Sequence, residues 1–344
     1  MLTSEKPLCS FVQLGGYQTQ PRHARVVESS ATGSSMRGMV FAVDSDEPVQ
    51  SARGTVILFL VVTFALDWVS WILAGAQSGW AIDESSVVWG PLLAVSMFGP
   101  LAAAIIVRVA RKTTVDAGWR PRIKGGVRWY LLALAIPPAL TLAGSVVYFV
   151  FLSGDFDPEA SRFSAAAIAQ LGIGADQVPA IFAVQVANAV IFAPFINMLL
   201  AIGEEAGWRG FLYPALREQM SRRHAAILTG VAWGLWHAPL IAIGYNYGTD
   251  YLGFPVLGIV AMTIFCMAFG MFLCFLRGRS GSVWPCALAH GSLNAVAGLG
   301  MWFSRSAGGI LGPMPLRLLG CIPVVLLALW LLGRLGAPGA DVAR

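Results

Sequence analysis

Apolar runs of helical length recur from Gly54 almost to the end of the chain, and that recurrence leaves few folds open. About twenty apolar residues cross the ~30 Å hydrocarbon core of a bilayer. Inside that core, only helices and closed barrels satisfy every backbone polar group. The runs fall at 54–76, 88–110, 129–152, 190–216, 225–243, 255–276, 283–303 and 315–334. They predict an all-α polytopic membrane protein, a bundle of about eight transmembrane helices filling 54–334. Composition agrees: 12% of the 344 residues are charged and the mean hydropathy is +0.69, against about 25% charged residues in soluble domains.

Residues 1–53 differ from everything after them. They are polar, rich in Ser, Gly, Thr and Gln, and lack the apolar core of a signal peptide. They read as a disordered N-terminal tail, with Met36 and Met39 as alternative starts should the first codon be misassigned. Residues 335–344 read as a short C-terminal tail. The fourth run begins as early as Pro179, and Pro194 is expected to break or kink it. A span at about 190–216 then puts Glu204 and Glu205 near the bilayer midplane.

The loops supply orientation. Arg111, Lys112, Arg120, Arg122, Lys124 and Arg128 follow the second run. Arg217, Arg222 and Arg223 follow the fourth, and Arg277 and Arg279 the sixth. The alternate loops, "DESS", "GDFDPE" and "YNYGTDY", are acidic or neutral. Basic residues at every second loop place both termini in the cytoplasm of a multi-pass plasma-membrane protein. This pattern also accounts for the net charge of +5; no basic patch interleaved with aromatics appears, so nucleic acid is not an expected partner. No internal repeat supports a transporter built from inverted halves. Of the cysteines, Cys266, Cys274, Cys286 and Cys321 lie in apolar segments and Cys9 in the tail. None shows metal-binding spacing, and they read as small membrane-helix residues.

One stretch breaks the apolar pattern: "GEEAGWRG" at 203–210. Each charge at a helix centre costs about 2.5–3.5 kcal/mol on insertion scales, so three together need a reason. Glu205 and Arg209 are four apart and can pair on one face, while Glu204 is rotated by about 100°. Glu205 and Arg209 are therefore expected to form a supporting pair and Glu204 to face a cavity as a base. His237 lies in "VAWGLWHAPL", and His290 and Asn294, four apart, lie in "ALAHGSLNA". Two of the four histidines in the chain thus fall within spans, where ionisable groups face the bundle interior.

A carboxylate with histidines suits activation of a water for attack on a carbonyl. His237 can hold that water or share its proton, and His290 and Asn294 offer N–H donors for an oxyanion. A metal-bound water is equally expressible, with Glu204, His237 and His290 as three ligands, for example of Zn2+. No H-E-x-x-H occurs, which excludes a standard zincin. Elsewhere, Asp67 reads as a structural or interfacial acid, and Asn188 and Asn197 as helix-packing glue. The pairs Trp68/Trp71 and Tyr245/Tyr247 read as interface belts.

The segments "EEAGWR" (Glu204–Arg209), "WGLWH" (Trp233–His237) and "HGSLN" (His290–Asn294) resemble the three motifs of the CAAX-protease and bacteriocin-processing (CPBP, or Abi) family of intramembrane endopeptidases. That family's pattern is E-E-x-x-x-R, then F-x-x-x-H, then H-x-x-x-N, each on its own helix. The resemblance covers roughly residues 90–305, and Trp233 stands where the family commonly has Phe. It implies a peptidase of membrane-associated peptide or protein substrates, with Glu204 as the water-activating base, assisted by His237. It implies oxyanion stabilisation by His290 and Asn294, and support from Glu205, Arg209 and Trp233. Family members are described both as metalloproteases and as metal-independent glutamate proteases, so the cofactor stays open. Two other classes remain: a proton-coupled transporter, which needs a polar path across the bilayer, and a non-catalytic immunity or scaffold protein, which would tolerate loss of Glu204.

Overall fold

A chain that buries its backbone polar groups within each segment must build helices, and helices dominate the computed structural model. It describes residues 47–82, 87–306 and 308–335. Nine principal helices occur among them: α1 (Glu47–Gln77), α2 (Trp89–Arg111), α3 (Val127–Phe151), α4 (Ser161–Leu171), α5 (Ala175–Arg217), α6 (Arg222–Ala242), α7 (Val256–Ser280), α8 (Trp284–Val296) and α9 (Ile322–Leu335). Among the described residues, the sole β pairing is an isolated bridge between Phe156 and Ser304. The tail at 1–53 lies outside the described residues up to 46; α1 starts at Glu47, ahead of the expected start at Gly54. The final tail from 336 onward also lies outside them.

Each of the eight expected runs contains a helix. Among the described residues, six helices are long and apolar enough to cross a membrane: α1, α2, α3, α5, α6 and α7. The seventh and eighth runs give shorter ones. α8 has 13 residues and α9 has 14, about 20 Å each. Beyond α8 the chain tightens into a single-turn 3-10 segment, Leu299–Phe303. It then enters "GILGPMPLRLLG" (309–320), where Gly and Pro hold off helix formation until Ile322.

Of the break or kink expected at Pro194, the break does not occur. α5 runs unbroken through 43 residues, about 65 Å and more than twice the hydrocarbon thickness. Proline withholds an amide hydrogen and crowds the preceding turn; α5 absorbs this by widening that turn. The Ala193 amide donates to the Asn188 carbonyl, five residues back. The same device recurs before Pro214, where the Tyr213 amide donates to the Trp208 carbonyl. Each wide turn inserts one residue into the helical count, and such bulges are frequent at functional sites.

α5 packs against α2 and α8; α8 also meets α3 and α7, and α7 carries α6 and α9. Small residues set these distances. A methyl at Gly203 would run into the Met97 carbonyl of α2, and one at Gly207 into Pro100. On α8, Gly291 lies against the α5 backbone at Pro194, Asn197 and Met198. The glycines of "GEEAG" thus bring neighbouring helices in, and the glutamates between them are buried. Two aromatic residues read as interface belts are instead core: Trp71 is 1% exposed and Tyr247 4%. The Tyr247 hydroxyl donates to the Leu316 carbonyl at 2.8 Å.

The loops join at two ends. Arg277, at the end of α7, donates to the Asp116 carbonyl (2.8 Å) in the basic loop after α2 and to the Arg209 carbonyl (3.2 Å). Beyond α3, Asp155 accepts from Tyr148 Oη (2.8 Å), from the Ser306 amide (2.7 Å) and from Ser304 Oγ. Burial pushes the Asp155 carboxyl up, but the donors from Ser304, Tyr148 and Ser306 outweigh it and hold it below the ordinary carboxylate range. A depressed carboxylate contributes stability above its unfolded value of about 3.9 and loses it as pH falls through the lower folded value. Acidifying the detergent-solubilised protein from about pH 5 to pH 3 is therefore expected to lower its melting temperature more than that of Asp155→Asn. Equal losses would remove Asp155 from the account.

Candidate active site

The motif residues sit on α5, α6 and α8 and converge on one cavity of about 250 Å3. Glu204, Trp233, His237, His290 and Asn294 all line it. Four of the five are buried, while Asn294 is exposed. Seven helix steps separate Asn197 from Glu204, so Asn197, Leu200 and Glu204 share a face of α5 leading to the cavity.

Glu205 and Arg209 form the expected pair. Arg209 Nη1 donates to Glu205 Oε1 at 2.9 Å, and both side chains are fully buried. The same oxygen also meets His290 Nδ1 at 3.0 Å. An ionised carboxylate only accepts, so His290 carries its hydrogen on Nδ1. His237 Nδ1 lies 2.9 Å from the Trp233 carbonyl, again an acceptor only, so it too is protonated at Nδ1. In their neutral forms, both imidazoles therefore keep a lone pair on Nε2.

Glu204 is not free of partners. Trp233 Nε1 donates to its Oε2 at 2.7 Å. The Arg209 guanidinium lies 4.5 Å over the same Trp233 ring, a cation–π contact. Trp233 thus links the supporting pair to Glu204, and a phenylalanine there would keep the ring without the N–H. A Trp233→Phe protein is expected to fold but to lose about ten-fold in kcat, the worth of one fixed charge-assisted hydrogen bond. Unchanged kinetics would mean that the indole N–H does not hold Glu204 in place.

Two residues outside the three motif sets join the site. Asp67 on α1 is buried, and its Oδ2 accepts from Trp236 Nε1 at 2.9 Å. The Trp236 ring packs edge-on against His237, with centroids 4.7 Å apart. Asp67 thus acts structurally, as expected of a buried acid, but next to the site instead of at an interface. Its signal in the sequence was a lone acid in an apolar run; nothing there points to Trp236 as its partner. Tyr245, read as an interface residue, lines the cavity.

Asn188 and Asn197 were read as packing glue. Among the described residues neither side chain makes a hydrogen bond, so they join no helices that way. For a metal, Glu204, His237 and His290 line the cavity, but Glu204 Oε2 is turned to the Trp233 indole. Among the described residues no three His, Cys, Asp or Glu side chains gather closely enough to hold an ion. As arranged, this donor set does not fit a metal site.

Residues 185–296 match the family model described as Rce1-like, type II CAAX prenyl endopeptidase. That segment contains all seven motif residues and is narrower than the 90–305 expected from the sequence. A similar curated protein is the CAAX prenyl protease 2 of Methanococcus maripaludis, 25% identical over 192 residues. The alignment covers 55% of this chain and 64% of that relative, just under two thirds of its length.

Proposed function

We propose, from the match of residues 185–296 to the Rce1-like, type II CAAX prenyl endopeptidase model, that the protein is an intramembrane endopeptidase of membrane-associated peptides. The observation that carries this reading is the single cavity in which Glu204, His237, His290 and Asn294 meet. They come from three helices of an otherwise apolar bundle.

In this mechanism Glu204 takes a proton from a water, whose oxygen attacks the carbonyl carbon of the scissile peptide bond. His237 Nε2 accepts a hydrogen bond from the same water and orients it. The Asn294 amide donates to the oxyanion. His290 adds an N–H from Nε2 only as the imidazolium. The proton then passes from Glu204 to the leaving amine as the C–N bond breaks, returning the carboxylate.

The test is cleavage by the purified full chain in liposomes, using internally quenched membrane-anchored peptides with and without a prenylated CAAX end. The name of the Methanococcus relative motivates the prenylated probe. Cleavage of either peptide, at a rate that falls in His237→Ala, is the expected result. No cleavage of any membrane peptide, or full activity in His237→Ala, would overturn the reading.

A further inference from the structure

A second cavity of about 310 Å3 adjoins the first, and Asn294 lines both. Gln185, Asn188 and Asn197 line it as well, beside apolar residues, and no charged side chain does. Gln185, Asn188 and Asn294 are exposed and Asn197 is half-buried, and among the described residues none of these four carboxamide side chains has a hydrogen-bond partner within the chain, although all lie in apolar helices. Within a bilayer such amides are costly to leave without partners, and a ligand that both donates and accepts would satisfy them.

The wide turn in α5 creates this cleft. In a regular helix Asn188 and Asn197, nine residues apart, would point about 180° apart. The extra residue at 188–192 removes one step of about 100°, so both reach the same cavity. The path continues: Gln185 and Trp302 also line a third cavity of about 480 Å3, which reaches α4. Three adjoining clefts thus run along α5, from Glu204 toward the end of the bundle away from the basic loop at Arg217.

Carboxamides present two N–H donors and one carbonyl acceptor without charge. This chemistry matches the alternating C=O and N–H groups of an extended peptide; a phosphate headgroup would call for cations. We propose that the carboxamide cleft binds the main chain of the substrate in extended form and delivers its carbonyl to Glu204. The proposal rests on the peptidase reading above. Asn197 and Glu204 are separated by about 10.5 Å of helix, or about three residues of extended peptide. Asn197 therefore contacts the substrate about three residues from the scissile bond, and Asn188 contacts it further out.

The experiment uses the full chain in liposomes and an internally quenched apolar peptide that it cleaves, made with increasing numbers of residues on each side of the cut. Lengthening on one side is expected to lower KM in the wild type. Asn197→Leu and Asn188→Leu should each lose about ten-fold of that gain with kcat within about two-fold, and Asn197→Gln should recover part of it. Backbone N-methylation about three residues from the cut should raise KM in the wild type and have little effect in Asn197→Leu. A length dependence identical in wild type and variants would overturn the proposal.

A second arm does not depend on cleavage. Asn188→Cys, placed in a Glu204→Gln/Cys9→Ser protein, should react with a water-soluble methanethiosulfonate, over the background of Cys266, Cys274, Cys286 and Cys321, which are buried. The same peptide should slow that reaction. Labelling that the peptide does not slow would mark a water-filled cleft and overturn the proposal. Slowed labelling in a protein that cleaves no peptide would leave the cleft as a peptide site while removing the peptidase reading.

Discussion

Glu204→Gln is expected to reduce peptide cleavage by about 10²–10⁴-fold while leaving the fold intact, because a positioned general base contributes on that order. The substitution is close to isosteric, and glutamine keeps a carbonyl oxygen able to accept from Trp233 Nε1, the partner of Glu204 Oε2 at 2.7 Å. It loses the ability to take a proton from water at neutral pH. The loss should therefore fall on kcat, with KM nearly unchanged. Glu205→Gln makes the contrast. Glu205 is 0% exposed and faces Arg209 and His290, so that variant should lower stability and activity together. If Glu204→Gln kept wild-type turnover, water activation by this carboxylate would be ruled out. So would the division of labour between the two glutamates.

The pairing of Glu205 with Arg209 was legible in the sequence because it rests on one geometric fact: residues four apart share a helix face and adjacent residues do not. The spacing in "GEEAGWRG" separates Glu204 from the Glu205–Arg209 pair without any tertiary knowledge. The histidines stood out because ionisable groups are costly in an apolar span. Helix lengths were less legible. Hydropathy sees an apolar run at 315–334, but not that Pro313, Pro315 and the glycines around them delay the last helix to Ile322. Pro194 was read as a break or a kink because a proline conflicts with a regular α-helical turn. A wide turn relieves the conflict and keeps α5 continuous, and no single-residue propensity signals that choice.

The bond from Trp233 to Glu204 was hidden for another reason. It joins α5 to α6 across 29 positions, and the sequence shows only an aromatic where phenylalanine is usual. Asp67 was likewise visible as an acid, but its bond to Trp236 spans 169 positions. The carboxamide cleft depends on the extra residue in α5, so periodicity alone places Asn188 and Asn197 on opposite faces. Local spacing revealed which groups are unusual; the helix packing decides which of them meet.

Arg209→Met is expected to cost about 3–5 kcal/mol of stability, the penalty for leaving one partner of a buried ion pair uncompensated. Arg209 is 0% exposed, its Nη1 lies 2.9 Å from Glu205 Oε1, and its guanidinium covers the Trp233 ring. Without it, the Glu205 charge retains only the His290 contact at 3.0 Å. The double variant Arg209→Met/Glu205→Leu removes both charges and keeps most of the apolar volume, so it should regain much of the lost stability. Activity should not return with it. His290 Nδ1 would have no carboxylate to donate to, and its ring would lose the contact that fixes its tautomer and direction. Unfolding of the detergent-solubilised variants, followed alongside peptide cleavage, separates the two effects. A single Arg209→Met protein as stable as the wild type would show that the pair carries no structural weight. A double variant with full activity would show that Glu205 does not orient His290.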